Sequence, residues 1–256
     1  MILAVDIGNT NIVIGGFENG IFIFTERIAT VHGKTSCEYY IGIKNALVLN
    51  NINFSDIDGA VISSVVPSVT GAVENALSEL IESGKIFVVK YGDKTGINKI
   101  LTDNPEKIGT DRIVDASAVT AYYQLPAVII DMGTATTVSV VDSNKNFIGG
   151  IIMAGIKISL EALAGKTSQL PKVSFEPPES IIGKNTSDCM KSGIIYGTAS
   201  CIDGLVSRIE KSLGQKVTAV ATGGMSGLIV PHCERKIIHD ENLLLKGLVN
   251  IYSLNN

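Results

Sequence analysis

The sequence predicts an α/β protein made of two related halves, and three observations carry this prediction. An Asp-x-Gly segment follows an apolar strand twice, at Asp6-Ile7-Gly8 in the first half and at Asp131-Met132-Gly133 in the second. Each copy is followed by another apolar strand, a polar turn and a third apolar run. Helical and strand patterns then alternate along the chain, which indicates mixed sheets with helices packed on them.

The elements of the first half follow from apolar spacing and turn residues. Apolar residues 3–5 and 12–14 flank the first motif as two strands, and residues 21–24 form a third strand. The elements after them are a helix over residues 36–49 with Ser36 as N-cap and Tyr40, Ile43 and Leu47 on its apolar side, a strand over 59–62 that is buried on both faces, a helix over 68–83 closed by Gly84, and a strand over 86–89.

The second half repeats the opening of the first. Residues 91–108 are polar and interrupted by Gly92, Gly96 and Pro105, so we expect a loop, followed by a helix from Gly109 or Thr110 to about residue 123. The later elements are strands over 128–130 and 138–140, a helix near 158–163, an irregular segment over 165–183, a long helix capped by Thr186 with Ile194, Ala199, Ile202, Leu205, Val206 and Ile209 on its buried face, and a strand over 217–221.

Composition argues against several classes of function. The 256 residues carry a formal net charge of −4, which gives no electrostatic reason to expect a nucleic acid or a membrane surface as partner. The mean hydropathy is +0.32, yet the apolar runs are only strand-sized, so no membrane span is expected. The first residues reach Asp6 without a basic segment, and the four cysteines form no C-x-x-C pair. We therefore expect a cytoplasmic protein with reduced thiols.

A metal site near the C-terminus is a weaker interpretation. His232, Cys233 and His239 are close in sequence, but the chain offers no fourth ligand at suitable spacing. A chance surface cluster is the favoured interpretation of these three residues.

The two Asp-x-Gly turns have the composition of phosphate-binding turns. Gly, Thr and Asn between two strands expose backbone N–H groups and hydroxyls that can contact phosphate oxygens, and each Asp can hold a cation beside them. A single copy would also fit an ordinary hairpin. The duplication favours phosphate binding, because two related turns can clamp one nucleotide.

A candidate base lies at the start of the helix that opens near residue 109. Asp111 and Arg112 are adjacent there and point in different directions, so they can address two parts of one ligand. The alternative is a first-turn acid beside a surface arginine. Thr222-Gly223-Gly224 ends a predicted strand, and its small residues fit either a ligand that approaches the backbone or a simple strand-to-helix turn.

Together these residues supply what phosphoryl transfer needs, namely neutralised phosphate charge, an aligned acceptor and a carboxylate base. The hypothesis assigns three roles: Asp6 and Asp131 organise cations and water, Thr10, Asn11 and Thr134 bind phosphate oxygens, and Asp111 deprotonates an acceptor hydroxyl.

The motifs resemble those of type III pantothenate kinases, members of the acetate and sugar kinase, chaperone and actin superfamily, over nearly the whole chain. The segments that carry the resemblance are DIGNTN at Asp6 to Asn11, Ser64-Val65-Val66-Pro67, Asp103-Asn104-Pro105 with Gly109-Thr110-Asp111-Arg112, Asp131-Met132-Gly133-Thr134-Ala135-Thr136-Thr137, Ser159-Leu160-Glu161-Ala162-Leu163, Ile182-Gly183-Lys184-Asn185-Thr186 and Ala221-Thr222-Gly223-Gly224.

The resemblance implies a fold and an activity. The fold would be two duplicated ribonuclease H-like (actin-like ATPase) domains, each a mixed five-stranded sheet flanked by helices. We place them at residues 1–115, with the first phosphate motif, and 116–256, with the second phosphate and adenosine motifs. The activity would be ATP-dependent phosphorylation of pantothenate to 4'-phosphopantothenate, the first step of coenzyme A biosynthesis, in a homodimer.

The resemblance also implies roles for particular residues and ions. Asp111 would be the catalytic base, Asp131 would hold a monovalent cation, K⁺ or NH₄⁺, and Asp6 would hold Mg²⁺ together with water. The residues implied to bind ATP are Asp6, Ile7, Gly8, Asn9, Thr10, Asn11, Ile12, Val13 and Thr134, and those implied to bind pantothenate are Gly109, Thr110, Asp111, Arg112 and, from the neighbouring protomer, Thr186.

Two departures from the family pattern stand out. Thr102 replaces the usual tyrosine before Asp103, and Met153-Ala154-Gly155 replaces the usual Ala-Pro-Gly. Losing the aromatic ring at Thr102 would weaken or alter acceptor binding. Two other functions remain open: a non-catalytic nucleotide- or metabolite-sensing regulator on the same fold, and a kinase or phosphatase that acts on another small acceptor.

Overall fold

The computed structural model describes residues 1–81 and 84–256 and contains two mixed β-sheets. The first sheet has five strands in the spatial order β3-β2-β1-β4-β5. These strands are β1 (Ile2–Ile7), β2 (Asn11–Glu18), β3 (Ile21–Ala29), β4 (Gly59–Ser64) and β5 (Lys85–Val88). Strands β1, β2 and β3 form an antiparallel meander, whereas β4 and β5 run parallel to β1.

The second sheet repeats this arrangement. Its six strands are β6 (Lys99–Ile100), β7 (Ala127–Met132), β8 (Ala135–Val141), β9 (Asn146–Ala154), β10 (Thr218–Thr222) and β11 (Ile238–His239), in the order β11-β10-β7-β8-β9-β6. Strands β7, β8 and β9 form the meander, and β10 and β11 follow in parallel. The duplicated α/β fold is therefore confirmed, with one strand more than expected because the two-residue β6 adds to the edge of β9.

The helices lie between these strands in sequence. They are α1 (Ser36–Leu49), α2 (Pro67–Leu80), α3 (Thr110–Tyr122), α4 (Ile156–Gly165), α5 (Thr186–Leu213), α6 (Ser226–Ile229) and α7 (Leu243–Asn255), with short 3-10 helices at Phe54–Asp56, Pro105–Lys107 and Val230–His232. Among the described residues, no helix combines the length and apolar character needed to cross a bilayer.

Two predicted N-caps were wrong by one residue. Helix α1 is capped by Thr35, not Ser36, because Thr35 and Glu38 form a reciprocal capping box. Helix α5 is capped by Asn185, not Thr186, since the Asn185 side chain accepts the Asp188 N–H at 2.9 Å. In both cases the residue one position earlier has the extended backbone that a cap requires.

Helix α2 ends earlier than expected. It ends at Leu80, with Ile81 as its C-cap, and the predicted final turn over Glu82 and Ser83 lies outside the described residues. On α1 the buried aromatic is Tyr39, whose hydroxyl donates to Val31 O at 2.9 Å, while Tyr40 is only partly buried.

The chain forms two compact units, each with its own core. The first comprises residues 1–97, 103–121 and 243–256, and the second comprises 98–102 and 122–242. In the first unit, Leu3, Val5 and Ile7 of β1 pack with helices α1 and α2, whereas Ala4 packs with α3 and α7 on the opposite face. In the second unit, one face of β7 packs against α5. Successive residues of a strand therefore point to opposite faces of its sheet, and this alternation determines on which face the carboxylates of Asp6 and Asp131 lie.

Candidate functional site

The first Asp-x-Gly turn joins β1 to β2 and presents polar residues to solvent. The Gly8 N–H donates to Asn11 O at 3.0 Å and closes the turn. Asn9, Thr10 and Asn11 are exposed, and Asp6 is half-buried just before them. Ile7 and Ile12 are fully buried, so only their backbone atoms could contact a nucleotide.

Strand register brings Asp6 beside Ser63 and the start of α3. Asp6 pairs with Ser63 of the parallel strand β4, and both belong to the set of strand positions, with Ala4 and Val61, that faces α3 and α7. Ser63 Oγ donates to the Thr110 hydroxyl at 3.3 Å, and that hydroxyl donates to Ser64 O at 2.8 Å. These bonds attach the first turn of α3 to the strand beside Asp6.

Asp111 lies in the first turn of α3, directly after the anchored Thr110. Its Oδ1 accepts the Arg112 N–H at 2.8 Å. The carboxylate also lies against Gly109, where a β-carbon would overlap Oδ1, and Val65 flanks the same point. Burial raises the pKa of Asp111 above its usual value, against the opposing effect of the Arg112 N–H and charge. The result is a held carboxylate with enhanced affinity for a proton.

Arg112 carries the positive charge next to Asp111. Burial lowers the pKa of its guanidinium, and the charge of Asp111 acts in the opposite direction. The guanidinium of an arginine stays protonated in proteins at neutral pH even so. The first turn of α3 therefore offers one base and one cation side by side.

The second Asp-x-Gly turn joins β7 to β8 and matches the first. Gly133 N–H donates to Ala135 O at 3.1 Å, as Gly8 does to Asn11. Thr134 is exposed and Asp131 is half-buried. Asp131 pairs with Thr222 of β10, and its neighbours Ile130 and Met132 belong to the α5-side core, so the Asp131 carboxylate lies on the other face of the sheet.

The Thr222-Gly223-Gly224 segment meets the Asp131 turn directly. Gly223 has φ +90° and passes so close that a β-carbon would overlap Asp131 Oδ1 and lie 2.6 Å from Met132 N. Ser226, which is fully buried, donates to Gly223 O at 2.6 Å, and its Oγ lies 2.8 Å from His239 Nε2. The structure therefore brings together two motifs that sequence analysis considered separately.

The predicted site residues fall into two groups. Asp6 to Val13 and Gly109 to Arg112 lie in the first unit, whereas Asp131, Thr134 and Thr186 lie in the second. Thr186 is exposed at the first position of α5. Thr102 is half-buried in the second unit, and its Oγ1 is shielded from solvent without a hydrogen-bond partner among the described residues.

The carboxylate of Asp6 fits a Mg²⁺ site in which substrate phosphates supply other ligands of the ion. Among the described residues, no group of three or more His, Cys, Asp or Glu side chains could hold a metal ion. Mg²⁺ commonly uses one or two carboxylates together with substrate phosphates, and the single carboxylate of Asp6 beside an exposed turn fits that mode.

His232, Cys233 and His239 make contacts with protein groups. The His232 ring packs edge-on against Tyr196 at 5.0 Å, Cys233 Sγ lies 3.7 Å from Ile229 O, and His239 lies beside Ser226.

Three residues that support these turns were not identified from the sequence. Ser63 donates a hydrogen bond to the Thr110 hydroxyl, and Ser226 donates one to the Gly223 carbonyl. Thr30 donates to carbonyls of the first Asp-x-Gly turn. An isolated Ser or Thr at the end of a strand has no distinctive pattern, and its partners are distant in sequence. Only the three-dimensional structure identifies them.

Comparison with known proteins identifies the family. The profile of the type III pantothenate kinase family matches residues 2–208. A type III pantothenate kinase of Halalkalibacterium halodurans is 40% identical over 255 residues, covering 100% of both chains. One of Bacillus cytotoxicus is 41% identical over 255 residues, covering 100% of this chain and 97% of its own.

Solved structures share the fold at much lower identity. A conserved Baf family protein from Campylobacter jejuni has a TM-score of 0.60 at 18% identity, covering 98% of this chain and 97% of its own. A ROK family glucokinase from Streptomyces griseus, in complex with glucose and AMPPNP, has a TM-score of 0.51 at 13% identity, covering 99% and 98%. With full-length relatives at 40% identity and a matching family profile, the chain belongs to the type III pantothenate kinase family.

Proposed function

We propose that this chain transfers the γ-phosphoryl group of ATP to the primary hydroxyl of pantothenate, with Asp111 as general base. ATP and pantothenate are the substrates that the family implies. The observation that carries the mechanism is the environment of Asp111, a half-buried carboxylate beside Gly109 in the anchored first turn of α3.

Asp111 is suited to accept the proton of the acceptor hydroxyl. A general base works best when its pKa lies nearer the working pH, because it then binds the leaving proton more strongly while still being ionised. Burial moves the pKa of Asp111 in that direction. The adjacent Arg112 would pair with the carboxylate of pantothenate and orient the hydroxyl towards Asp111.

The two turns would bind the phosphates. In the first unit, the exposed residues Asn9 to Asn11 would contact phosphate oxygens, and Asp6 would hold Mg²⁺ through water. In the second unit, Thr134 would contact phosphate and Asp131 would hold K⁺ or NH₄⁺. When bound, these cations would neutralise negative charge on the phosphates during transfer.

The remaining assignments concern assembly and organisation. We place two actin-like ATPase domains at residues 1–115 and 116–256 and expect a cytoplasmic homodimer. Thr186, which is exposed at the start of α5, would contribute to the pantothenate site of the neighbouring protomer. Light scattering on the purified protein should give twice the 27.1 kDa chain mass, and a monomer would contradict this assignment.

A panel of acceptors tests the activity. The purified protein is incubated with ATP, Mg²⁺ and K⁺, and with pantothenate, other small alcohols or no acceptor. We expect ADP release that depends on pantothenate, with a phosphorylated product of matching mass. Release without any acceptor would indicate a phosphatase, release only with another alcohol would indicate a different kinase, and ATP binding without turnover would indicate a regulator.

A further inference from the structure

Thr30 holds two carbonyl groups of the first Asp-x-Gly turn. It follows directly after β3 and is half-buried. Its Oγ1 donates to Gly8 O at 2.7 Å, and its backbone N–H donates to Thr10 O at 3.0 Å. Thr30 thus binds two alternate carbonyls of a turn that lies about twenty residues earlier in the chain.

These two bonds fix the direction of the amides that follow. The turn contains only trans peptides, since the one cis bond of the described residues is Leu125–Pro126. In a planar trans peptide, the C=O of one residue and the N–H of the next point in opposite directions. With Gly8 O and Thr10 O held towards Thr30, the N–H groups of Asn9 and Asn11 point away from it.

The outward amides are not used by the sheet. Asn11 pairs with Ala29 through the bond from Thr30 N–H to Thr10 O, so the Asn11 N–H takes no part in that pair. The Asn9 N–H has no backbone acceptor among the described residues. Both residues are exposed, and backbone N–H groups that such a turn leaves without a backbone acceptor can bind an anion.

We infer that Thr30 is a positioning residue for the nucleotide, whose hydroxyl keeps the Gly8–Asn9 peptide oriented with its N–H towards the phosphates. Without that bond the peptide can rotate, which removes one donor and turns a carbonyl oxygen towards an anion. The inference rests on the proposed function only in taking the anion to be the phosphate chain of ATP.

The test measures binding of MgATP by calorimetry without any acceptor. Thr30→Val removes the hydroxyl but keeps the β-branched shape and the backbone N–H, whereas Thr30→Ser keeps the hydroxyl. Thr25→Val, on the same sheet edge, is the matched control. We expect Thr30→Val to raise the Kd for MgATP about tenfold, and Thr30→Ser and Thr25→Val to stay within about twofold of the unmodified protein.

Two results would overturn the inference: an unchanged Kd in Thr30→Val, or an equal loss in Thr30→Ser. If Thr30→Val fails to fold, an NMR titration of the unmodified protein with MgATP decides. The amide resonances of Asn9 and Asn11 should then shift, and unchanged resonances would refute the positioning role of Thr30. A protein that binds MgATP but does not phosphorylate pantothenate would contradict the proposed function and leave the binding test of Thr30 intact.

Discussion

The carboxylate of Asp111 occupies the space that a side chain at Gly109 would need. A β-carbon at position 109 would overlap Asp111 Oδ1, with Asp111 Cγ at 3.5 Å and a methyl group of Val65 at 3.7 Å. The absence of a side chain at Gly109 is therefore what allows Asp111 to lie back against the start of α3.

Replacing this glycine should disturb Asp111 without unfolding the protein. We expect Gly109→Ala to push the carboxylate away and to lower kcat with pantothenate by roughly tenfold or more, because small displacements of a base are costly. Gly71→Ala is the matched control, since a β-carbon there meets nothing within 4 Å. Steady-state kinetics of both variants would check this, and equal activity of the two would argue against the packing role of Gly109.

The raised pKa of Asp111 has a consequence for stability. A carboxyl whose folded pKa is above its unfolded pKa binds protons more strongly in the native state, so its contribution to stability is present at low pH and is lost as pH rises through the folded pKa. Asp111→Asn should therefore raise the Tm at pH 7, and the gain should disappear below about pH 4. Thermal unfolding at both pH values measures this, and a lower Tm at pH 7 would contradict it.

Replacing Gly223 should affect MgATP binding as well as stability, because this glycine lies against the Asp131 carboxylate. Gly223→Ala introduces strain at φ +90° and also overlaps the Asp131 carboxylate, whereas Gly214→Ala, at φ +67° with nothing within 4 Å, introduces only strain. Gly214→Ala should lose about 1 kcal/mol of unfolding free energy, and Gly223→Ala should lose more, because its β-carbon would also lie 2.6 Å from Met132 N. Only Gly223→Ala should also weaken MgATP binding and activation by K⁺, and equal effects of the two variants on binding would contradict this.

An ion-pair cluster on α5 should make stability depend on acidity. The pKa of Glu210 is lowered to about 2, first by the hydrogen bond from Arg235 at 3.1 Å and further by Lys216. A lowered pKa stabilises the fold above the unfolded value of 4.5, and this contribution is lost as pH falls towards 2. Urea unfolding at pH 7 and pH 3 should show a smaller pH-dependent loss in Arg235→Ala than in the unmodified protein.

Lys216→Ala provides the control for that experiment. Lys216 also contacts Glu210, at 3.0 Å, but its side chain is 89% exposed. Solvent screens such a pair, so this variant should behave nearly as the unmodified protein does. If the loss of stability between pH 7 and pH 3 were the same in Lys216→Ala and Arg235→Ala, that result would argue against a specific role of Arg235.

The duplicated motif and its flanking strands made the architecture predictable from the sequence. The spacing of apolar residues and the composition of the turns predict the positions of β1, β2, β7 and β8, because the buried strands of this fold are nearly continuous apolar runs. The two-residue strands β6 and β11 carry no such signal. The caps of α1 and α5 were wrong by one residue because Thr35 and Ser36, like Asn185 and Thr186, are adjacent capping types, and only backbone geometry selects between them.

The candidate site was predictable as a set of residues but not as a set of contacts. Asp111 could be proposed as a base because a carboxylate beside an arginine at a helix start is recognisable in sequence. Its support by Gly109 and Val65, and that of Gly223 by Ser226, depend on close approach in three dimensions. The roles of Asp6, Asp131, Thr134 and Thr186 in binding stay predictions.

Turnover by Asp111→Asn tests the central claim most directly. The amide keeps the size of the carboxylate but cannot accept the proton of the acceptor hydroxyl, so kcat with pantothenate should fall by about 10²- to 10⁴-fold while the Kd for MgATP stays within about twofold. In the unmodified protein, kcat should fall as pH is lowered through the raised pKa of Asp111. An Asp111→Asn protein that binds ATP and phosphorylates pantothenate at the full rate would contradict the account.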